Sequence, residues 1–386
     1  MDRTPDRVRA RRFLLTLVIG GLDNAPLMAA RFIMPVIAAA GGASPVFLGI
    51  LAGLFSAAPI AINVSFGRWV DRVGTIAPML VASSMVTLGA TIALVWPSNG
   101  ALLPAAALIG SGAIFAHVAA TRAVSDASTE LTRTRNFGLM IAAYSVFQFL
   151  GPLVAGTAYE HLGRGWALTS VAAFGFAAIL LLISPGHAFA RQSSQAPLTQ
   201  SKPRILQLFA QPLLIRWLVV GAVMSAVSTI YPLVVALHSL HTGLSASQAG
   251  AALGAFALGA VVSRALTGAI RRITTPRTAL CAMLAFGSVA YAVLPFVTGF
   301  FPFTALSALL GFIVGMAAPF VISKLYEEAP LNRTNEVMGL SMAITNLLQT
   351  VLPLALGLAA SGLGYGVIAW ILSALMLATI ALAIRG

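Results

Sequence analysis

The feature that most constrains this chain is a series of twelve apolar runs, most of them about 20 residues long or a little longer, separated by polar segments. They fall at roughly 13–38, 46–68, 76–96, 101–124, 137–159, 166–184, 213–237, 247–270, 277–298, 301–324, 337–360 and 364–384. A helix of that length crosses about 30 Å of hydrocarbon, and the alternating pattern of membrane strands is missing. The sequence therefore predicts an all-α membrane protein with twelve transmembrane helices.

Composition excludes the soluble classes of protein. Of 386 residues, 59% are hydrophobic and only 9% are charged, and the mean hydropathy is +0.94. Soluble domains average about 45–50% apolar and about 25% charged residues, because a surface in water needs charge. A soluble enzyme and a disordered chain are excluded on this ground. The first run is too long for a cleavable signal peptide, so we expect it to stay in the chain.

The net charge of +13 has an explanation in membrane topology. If the N-terminus is cytoplasmic, 20 of the 23 lysines and arginines lie in cytoplasmic segments or at the adjoining helix ends. Arg164 lies on the opposite side, and Arg31 and Arg264 lie within spans. This bias predicts that both termini are cytoplasmic, and it makes nucleic acid an unexpected partner.

The sequence carries no motif for enzymatic or metal chemistry. Cys281 is the single cysteine, which excludes a disulfide within the chain and a CxxC metal site. The HExxH, Walker and GxSxG patterns are also missing from the sequence. We therefore expect no enzyme activity, no metal and no cofactor.

A polar stretch divides the chain into two related halves. Residues 185–211 form a Pro-, Ser- and Gln-containing linker, which predicts bundles at 1–184 and 212–386. A shift of 201 residues superimposes the halves without a gap, and it pairs Gly49 with Gly250, Gly110 with Gly311, Gln148 with Gln349, Pro152 with Pro353, and Gly156 with Gly357. Such a parallel repeat is the arrangement of one large transporter class, with the substrate path between the two halves.

The segment between spans two and three carries the first recognisable motif. It reads GRWVDRVG, with Gly67, Asp71, Arg72 and Gly74 at the spacing that resembles the loop motif of the major facilitator superfamily. The basic residues usual after it are replaced by a threonine and an isoleucine. The resemblance implies the major facilitator fold, with two pseudo-symmetric six-helix bundles, and a role for this cluster in closing the cytoplasmic side.

Acidic partners for these arginines lie at the cytoplasmic ends of later spans. We expect Asp126 to pair with Arg72, and Glu327 to pair with Arg272 or its neighbour Arg271. The alternative is that all of these are solvated charges that only set the topology.

Span five resembles the antiporter motif of the same family. Gly138, Gly151, Pro152 and Gly156 match it, while a phenylalanine and an alanine replace two of its glycines. The arginine that proton-coupled drug antiporters carry in span four is missing. The resemblance favours export over import, and the alternative is a packing kink at proline without any antiport role.

Ionisable residues at membrane depth are costly, so each is a functional hypothesis. Asp23 lies near mid-depth in span one, where burial disfavours its charged form, and we expect it to bind and release a proton or to contact substrate. The alternatives are that it caps a helix broken at Pro26 or neutralises an arginine. Arg31, two turns later, needs a carbonyl cluster, water or an anionic substrate as partner, unless it extends to the outer surface.

Further polar residues complete the predicted set. His117 could relay a proton or simply bond a helix carbonyl. Arg264 corresponds by repeat to Asn63, which indicates gate architecture more than substrate binding. The uncharged groups that could orient a ligand or join helices are Tyr144, Gln148, Tyr231, Asn346 and Gln349.

These observations predict a secondary active transporter that moves a small organic solute by alternating access. We expect proton-coupled efflux, with Asp23 carrying the proton. The rival is proton-coupled transport or exchange of an anionic metabolite, since two membrane arginines face one carboxylate. The expected partners are the substrate, protons and the lipid bilayer, in a monomer located in a bacterial inner membrane.

Overall fold

The computed structural model describes residues 4–60, 63–184, 211–330 and 333–385, and within these ranges it contains helices but no strand. The helices are α1 (Thr4–Ala40), α2 (Pro45–Ile60), α3 (Asn63–Val73), α4 (Ile76–Val95), α5 (Asn99–Asp126), α6 (Glu130–Leu162), α7 (Arg164–Ile183), α8 (Pro212–Thr242), α9 (Ala246–Ile273), α10 (Pro276–Val293), α11 (Phe300–Glu328), α12 (Thr334–Leu363) and α13 (Gly366–Arg385). A 3-10 turn, Leu294–Phe296, follows α10.

The all-α membrane fold is confirmed, and one predicted span is divided. In the described ranges, 11 helices are long and apolar enough to cross a membrane, or 12 if the bent pair α2 and α3 forms one span. That pair occupies predicted span two and is bent by 51°. Most of the other helices extend past the predicted runs, because polar residues beyond an apolar run can continue the helix into the interface. The predicted linker lies outside the described residues except for Gln211.

Prolines inside the long helices do not interrupt them. α1 continues through Pro26, α6 through Pro152 and α12 through Pro353. Transmembrane helices tolerate proline because neighbouring groups satisfy the freed carbonyls. Asp23 therefore does not cap a helix that ends at Pro26, and this alternative is wrong.

The first of two compact units comprises residues 1–43, 54–196 and 245–254. Within it α1 packs against α5, α6 and α7, while α4 packs between α5 and α7. The α1 contacts depend on small residues, since a Cβ at Gly20 or Gly21 would collide with the Tyr144 or Phe147 ring of α6. This packing brings α4, α5 and α6 around the middle of α1, where the ionisable residues lie.

The second unit comprises residues 44–53, 197–244 and 255–386. α8 is its most enclosed helix and packs against α11, α12 and α13. The largest fully buried side chains of this unit include Trp217, Tyr231 and Tyr291. The interior of this unit is thus built mainly from apolar and aromatic groups.

The sequence repeat reappears in the close contacts. A Cβ on Gly110 would lie under 3.0 Å from the carbonyl oxygen of Phe55 in the first unit. Gly311 meets Phe256 in the same way in the second unit, and each partner is displaced by 201 residues. Gly250 against Pro152 in the first unit likewise corresponds to Gly49 against Pro353 in the second. Only glycine permits backbones to approach this closely, so the offset reflects duplicated packing.

Candidate functional site: a buried carboxyl and its polar neighbours

Asp23 lies in the interior of the first unit and is fully buried. Its Oδ2 is 2.9 Å from the Ser83 hydroxyl on α4, and that hydroxyl is also 3.0 Å from the Met79 carbonyl oxygen. Ser83 is the donor in both contacts, so its single hydroxyl proton is shared between the carboxyl oxygen and the backbone carbonyl. Among the described residues no cation pairs with Asp23, so it is burial that disfavours its charged form.

The second oxygen of Asp23 and a tyrosine hydroxyl of α6 are both without a hydrogen-bond partner in the described part of the chain. Among the described residues, neither Asp23 Oδ1 nor the buried Tyr144 hydroxyl has a hydrogen-bond partner. Tyr144 lies beside Gly20, where a Cβ would come 2.8 Å from the tyrosine hydroxyl. Gly20 precedes Asp23 by one helical turn on the same face. The His117 ring on α5 is 5.3 Å from the Tyr144 ring, centroid to centroid. We call Asp23, Ser83, Tyr144 and His117 the Asp23 cluster.

Arg31 is not paired with Asp23 or with any other acid in the described ranges. Its Nη2 donates to Ser56 Oγ at 3.1 Å, and its guanidinium carbon is 6.0 Å from the Phe55 ring centroid. Its Nε is buried and has no partner among the described atoms. Both neighbours belong to α2, so the side chain packs within the unit. The alternative that Asp23 neutralises an arginine is therefore wrong.

The predicted pair of Arg72 and Asp126 is wrong. Arg122 of α5 instead lies 3.5 Å from Asp71 and 3.1 Å from Asp126. Arg72 is exposed and makes no ion pair within the described part of the chain. Neighbouring residues on a helix point about 100° apart, so Asp71 and Arg72 cannot both face α5. Gly74 does adopt a positive φ of 84°, whereas a Cβ on Gly67 would meet no atom within 4 Å.

The predicted pair of Arg272 and Glu327 is also wrong. Glu327 binds Lys324 of its own helix at 2.6 Å. Arg271 reaches this group indirectly, because it donates to Ser323 at 3.4 Å and Ser323 donates to Glu327. Arg272 is exposed, since it follows Arg271 by one residue and faces another direction.

The predicted antiporter-motif residues of α6 divide into two kinds. A Cβ on Gly151 would collide with the Ala25 backbone of α1, and one on Gly156 would collide with the Ala246 backbone of α9. Gly138, by contrast, has open space around it. Close packing thus involves the glycines in the second half of α6.

The uncharged polar residues differ in whether their side chains have hydrogen-bond partners. Tyr231 is fully buried, donates to Ser307 at 2.6 Å and stacks on Phe256. Gln349 donates to Ser225 at 2.9 Å. Gln148 and the Asn346 side chain make no hydrogen bond in the described part of the chain. Arg264 lies on α9, one turn before Gly268.

Sequence reasoning missed two residues that organise these clusters. Ser83 is one of several serines in apolar runs, and nothing in its local sequence marks it as the partner of Asp23. Arg122 carried a signal that could have been used, because it precedes Asp126 by four residues on one helix face.

The apolar helices, the duplicated packing and the buried ionisable groups define a multi-pass helical membrane protein with an internal repeat. The model of the Major Facilitator Superfamily matches residues 13–347, so the chain belongs to this family. Its relatives are membrane transporters, and the family is not one of enzymes.

Two curated relatives resemble parts of the chain. The inner membrane transport protein YajR of Escherichia coli (strain K12) is 28% identical over 223 residues, which are 53% of this chain and 46% of that protein. The "Probable vesicular acetylcholine transporter-B" of Danio rerio is 28% identical over 171 residues, covering 42% of this chain and 35% of that protein. The matches thus span less than half the length of these relatives.

Solved structures share the fold over the whole chain. A peptide transporter POT, crystallised in complex with sulfate, has a TM-score of 0.74 at 15% identity and covers 100% of this chain and 98% of its own. The nucleoside transporter NupG has a TM-score of 0.78 at 10% identity and covers 97% of this chain and 99% of its own. At such identities the likeness concerns the fold alone.

Proposed function

We propose that the protein is a secondary active transporter that exports a small organic solute in exchange for protons. In the alternating-access mechanism that we propose, the solute path is exposed in turn to either side of the membrane. Membership of a family of transporters supports the general activity. The buried Asp23 carboxyl carries the proposal of proton coupling.

Asp23 has the properties that a coupling carboxyl needs. It is fully buried, and the Ser83 hydroxyl that donates to it also contacts the Met79 carbonyl. No cation neutralises it among the described residues, so the ionised form would be a buried, unpaired charge. Release of the proton therefore requires a change in the surroundings of α1. Alternating access supplies such a change.

The Asp71, Arg122 and Asp126 group supports a cytoplasmic gate. It joins α3 to α5, and the side chains are 28–50% exposed at the helix ends. Exposed ion pairs contribute little to stability, so they can exchange partners during a cycle. The resemblance of α6 to the antiporter motif supports the export direction.

The decisive experiment uses proteoliposomes with an imposed pH gradient and a pH dye inside. A panel of lipophilic cations beginning with ethidium, and of carboxylates beginning with citrate, provides the probes. We expect Asp23→Asn to reduce proton-driven accumulation at least about tenfold while exchange of the probe across the membrane persists. Glu160→Gln removes a carboxylate on α6 outside this cluster and serves as control. Unchanged proton movement in Asp23→Asn would overturn the proposal.

A second candidate, transport of an organic anion, rests on Arg31. This half-buried cation has a hydroxyl and an aromatic ring as neighbours, but no carboxylate within 4.0 Å in the described ranges. Its planar group suits a carboxylate or phosphate of the solute. Arg31→Gln should abolish citrate transport and spare that of ethidium, and Arg164→Gln is the matched control. Equal loss for both probes would count against an anion site.

The charge bias supports a bacterial inner membrane location with both termini cytoplasmic, and we propose a monomer as the working unit. The name of the Escherichia coli relative is consistent with that membrane. Cysteine accessibility at each terminus tests the orientation, since a membrane-impermeant thiol reagent labels only the outer side of intact cells.

A further inference from the structure

We propose that Tyr144 and His117 form the route by which protons reach Asp23 from the exposed surface of α5. The inference rests on the proposed proton-coupled function and names the residues that serve it. It starts from a difficulty in that function, since a fully buried carboxyl cannot exchange a proton with water directly.

Ser83 does not provide the route. It lies on α4 and is itself fully buried, and its other contact is the backbone carbonyl of Met79 in the same helix. A carbonyl oxygen accepts hydrogen bonds but has no proton to pass on. The proton must therefore arrive at the other oxygen of Asp23, Oδ1.

Tyr144 offers an unused donor and acceptor next to α1. Its hydroxyl is buried and lacks a partner among the described residues, as does Asp23 Oδ1. The hydroxyl lies against Gly20, which precedes Asp23 by one turn on the same face of α1. Two unsatisfied buried polar atoms so close are costly unless a bond or one bridging water joins them. Gly20 keeps the space open, because a Cβ there would lie 2.8 Å from the hydroxyl.

His117 connects Tyr144 with the surface. Its ring lies 5.3 Å from that of Tyr144, and its side chain is exposed whereas only 6% of Tyr144 is. Thr121, one turn along the same face of α5, adds a buried hydroxyl without a partner in the described part of the chain. Exposure thus falls in order from His117 to Tyr144 to Asp23.

The transfer leaves Tyr144 unchanged and converts the His117 imidazolium to a neutral imidazole. The His117 imidazolium gives its proton to the Tyr144 oxygen while the Tyr144 hydroxyl proton passes to Asp23 Oδ1. The result is a neutral imidazole, an intact tyrosine and a protonated carboxyl, and the reverse sequence releases the proton. Histidine suits the surface position because it gains and loses a proton near neutral pH.

Infrared spectroscopy tests this route without a known solute. The carbonyl stretch of a protonated carboxyl shifts when its proton is replaced by deuterium, so transfer of the purified protein into heavy water reports the exchange rate. The band that disappears in Asp23→Asn belongs to Asp23. We expect this band to exchange at least about tenfold more slowly in Tyr144→Phe and in His117→Asn. Tyr159→Phe, the same change elsewhere on α6, should leave the rate unaltered.

The outcomes distinguish a failure of the proposed route from a failure of the proposed proton coupling by Asp23. If no carboxyl band disappears in Asp23→Asn, Asp23 holds no proton and the proposed coupling fails together with the route. If the band is present and exchanges equally fast in Tyr144→Phe, the route alone is overturned. Gly20→Ala provides a second variant, because it keeps the hydroxyl but displaces it, and it should also slow exchange.

Discussion

The two halves of the chain share their packing and differ in their polar groups. The tight glycine contacts recur at an offset of 201 residues, so Gly110 on Phe55 has its counterpart in Gly311 on Phe256. The Asp23 cluster has no such counterpart. At the offset of 201 residues, Asp23 corresponds to Met224 and Arg31 to Pro232. Likewise Ser83 corresponds to Leu284, His117 to Ala318 and Tyr144 to Thr345.

The polar residues of the second half form bonds with one another. Tyr231 pairs with Ser307, Gln349 pairs with Ser225, and Ser288 bonds to Ser373. These bonds join helices within a single unit, and none of the buried side chains in its described part is an acid, a lysine or an arginine, although His238 is fully buried. Duplication thus preserved the packing that the fold requires, while the buried carboxyl that the described residues contain lies in the N-terminal half. The comparison can be tested at the level of packing, of ion pairs and of single hydrogen bonds.

The largest effect is expected where the halves are most alike. Gly110→Val and Gly311→Val each force side-chain atoms into a backbone that already lies under 3.0 Å from the added Cβ. Each should cost at least about 2 kcal/mol, because a helix must shift to relieve the overlap. Thermal unfolding followed by labelling of Cys281 measures the loss in both variants.

Gly339→Val is the control for these substitutions, since a Cβ there meets no atom within 4 Å. A large loss at one of the two glycines and none at the other would show that the duplicated contacts are not equivalent.

An intermediate effect is expected at the cytoplasmic ion pairs, where the halves diverge. Arg122→Ala leaves two carboxylates facing each other and should destabilise by about 1 kcal/mol at low salt. Lys324→Ala removes a pair within one helix and should cost only about 0.3 kcal/mol. The difference should shrink at high salt, because these side chains are partly exposed. Equal losses for the two variants would contradict the asymmetry.

The sequence was sufficient for features that depend on local pattern. The number and approximate ends of the helices follow from apolar length, and the offset between the halves follows from aligned glycines. Ion-pair partners were not predictable in the same way. Whether Arg72 or Arg122 meets Asp71 depends on the rotation of α3 against α5, and apolar period does not determine it within one residue. The choice of Ser83 as partner of Asp23, 60 residues away, likewise depends on how α1 and α4 pack.

The smallest effect is expected at the two equivalent glutamines, Gln148 and Gln349. Gln349→Leu loses the bond to Ser225 and should cost about 0.6 kcal/mol, which is typical of a hydrogen bond between membrane helices. Gln148→Leu loses no bond that the described residues make, so its stability should change by less. A double-mutant cycle with Ser225→Ala isolates the pair term from the change in side-chain shape. A coupling near zero would mean that Gln349 does not join α8 to α12. Neither glutamine would then contribute a stabilising hydrogen bond between helices. The difference in polar interactions between the two halves would rest on the ionisable residues alone.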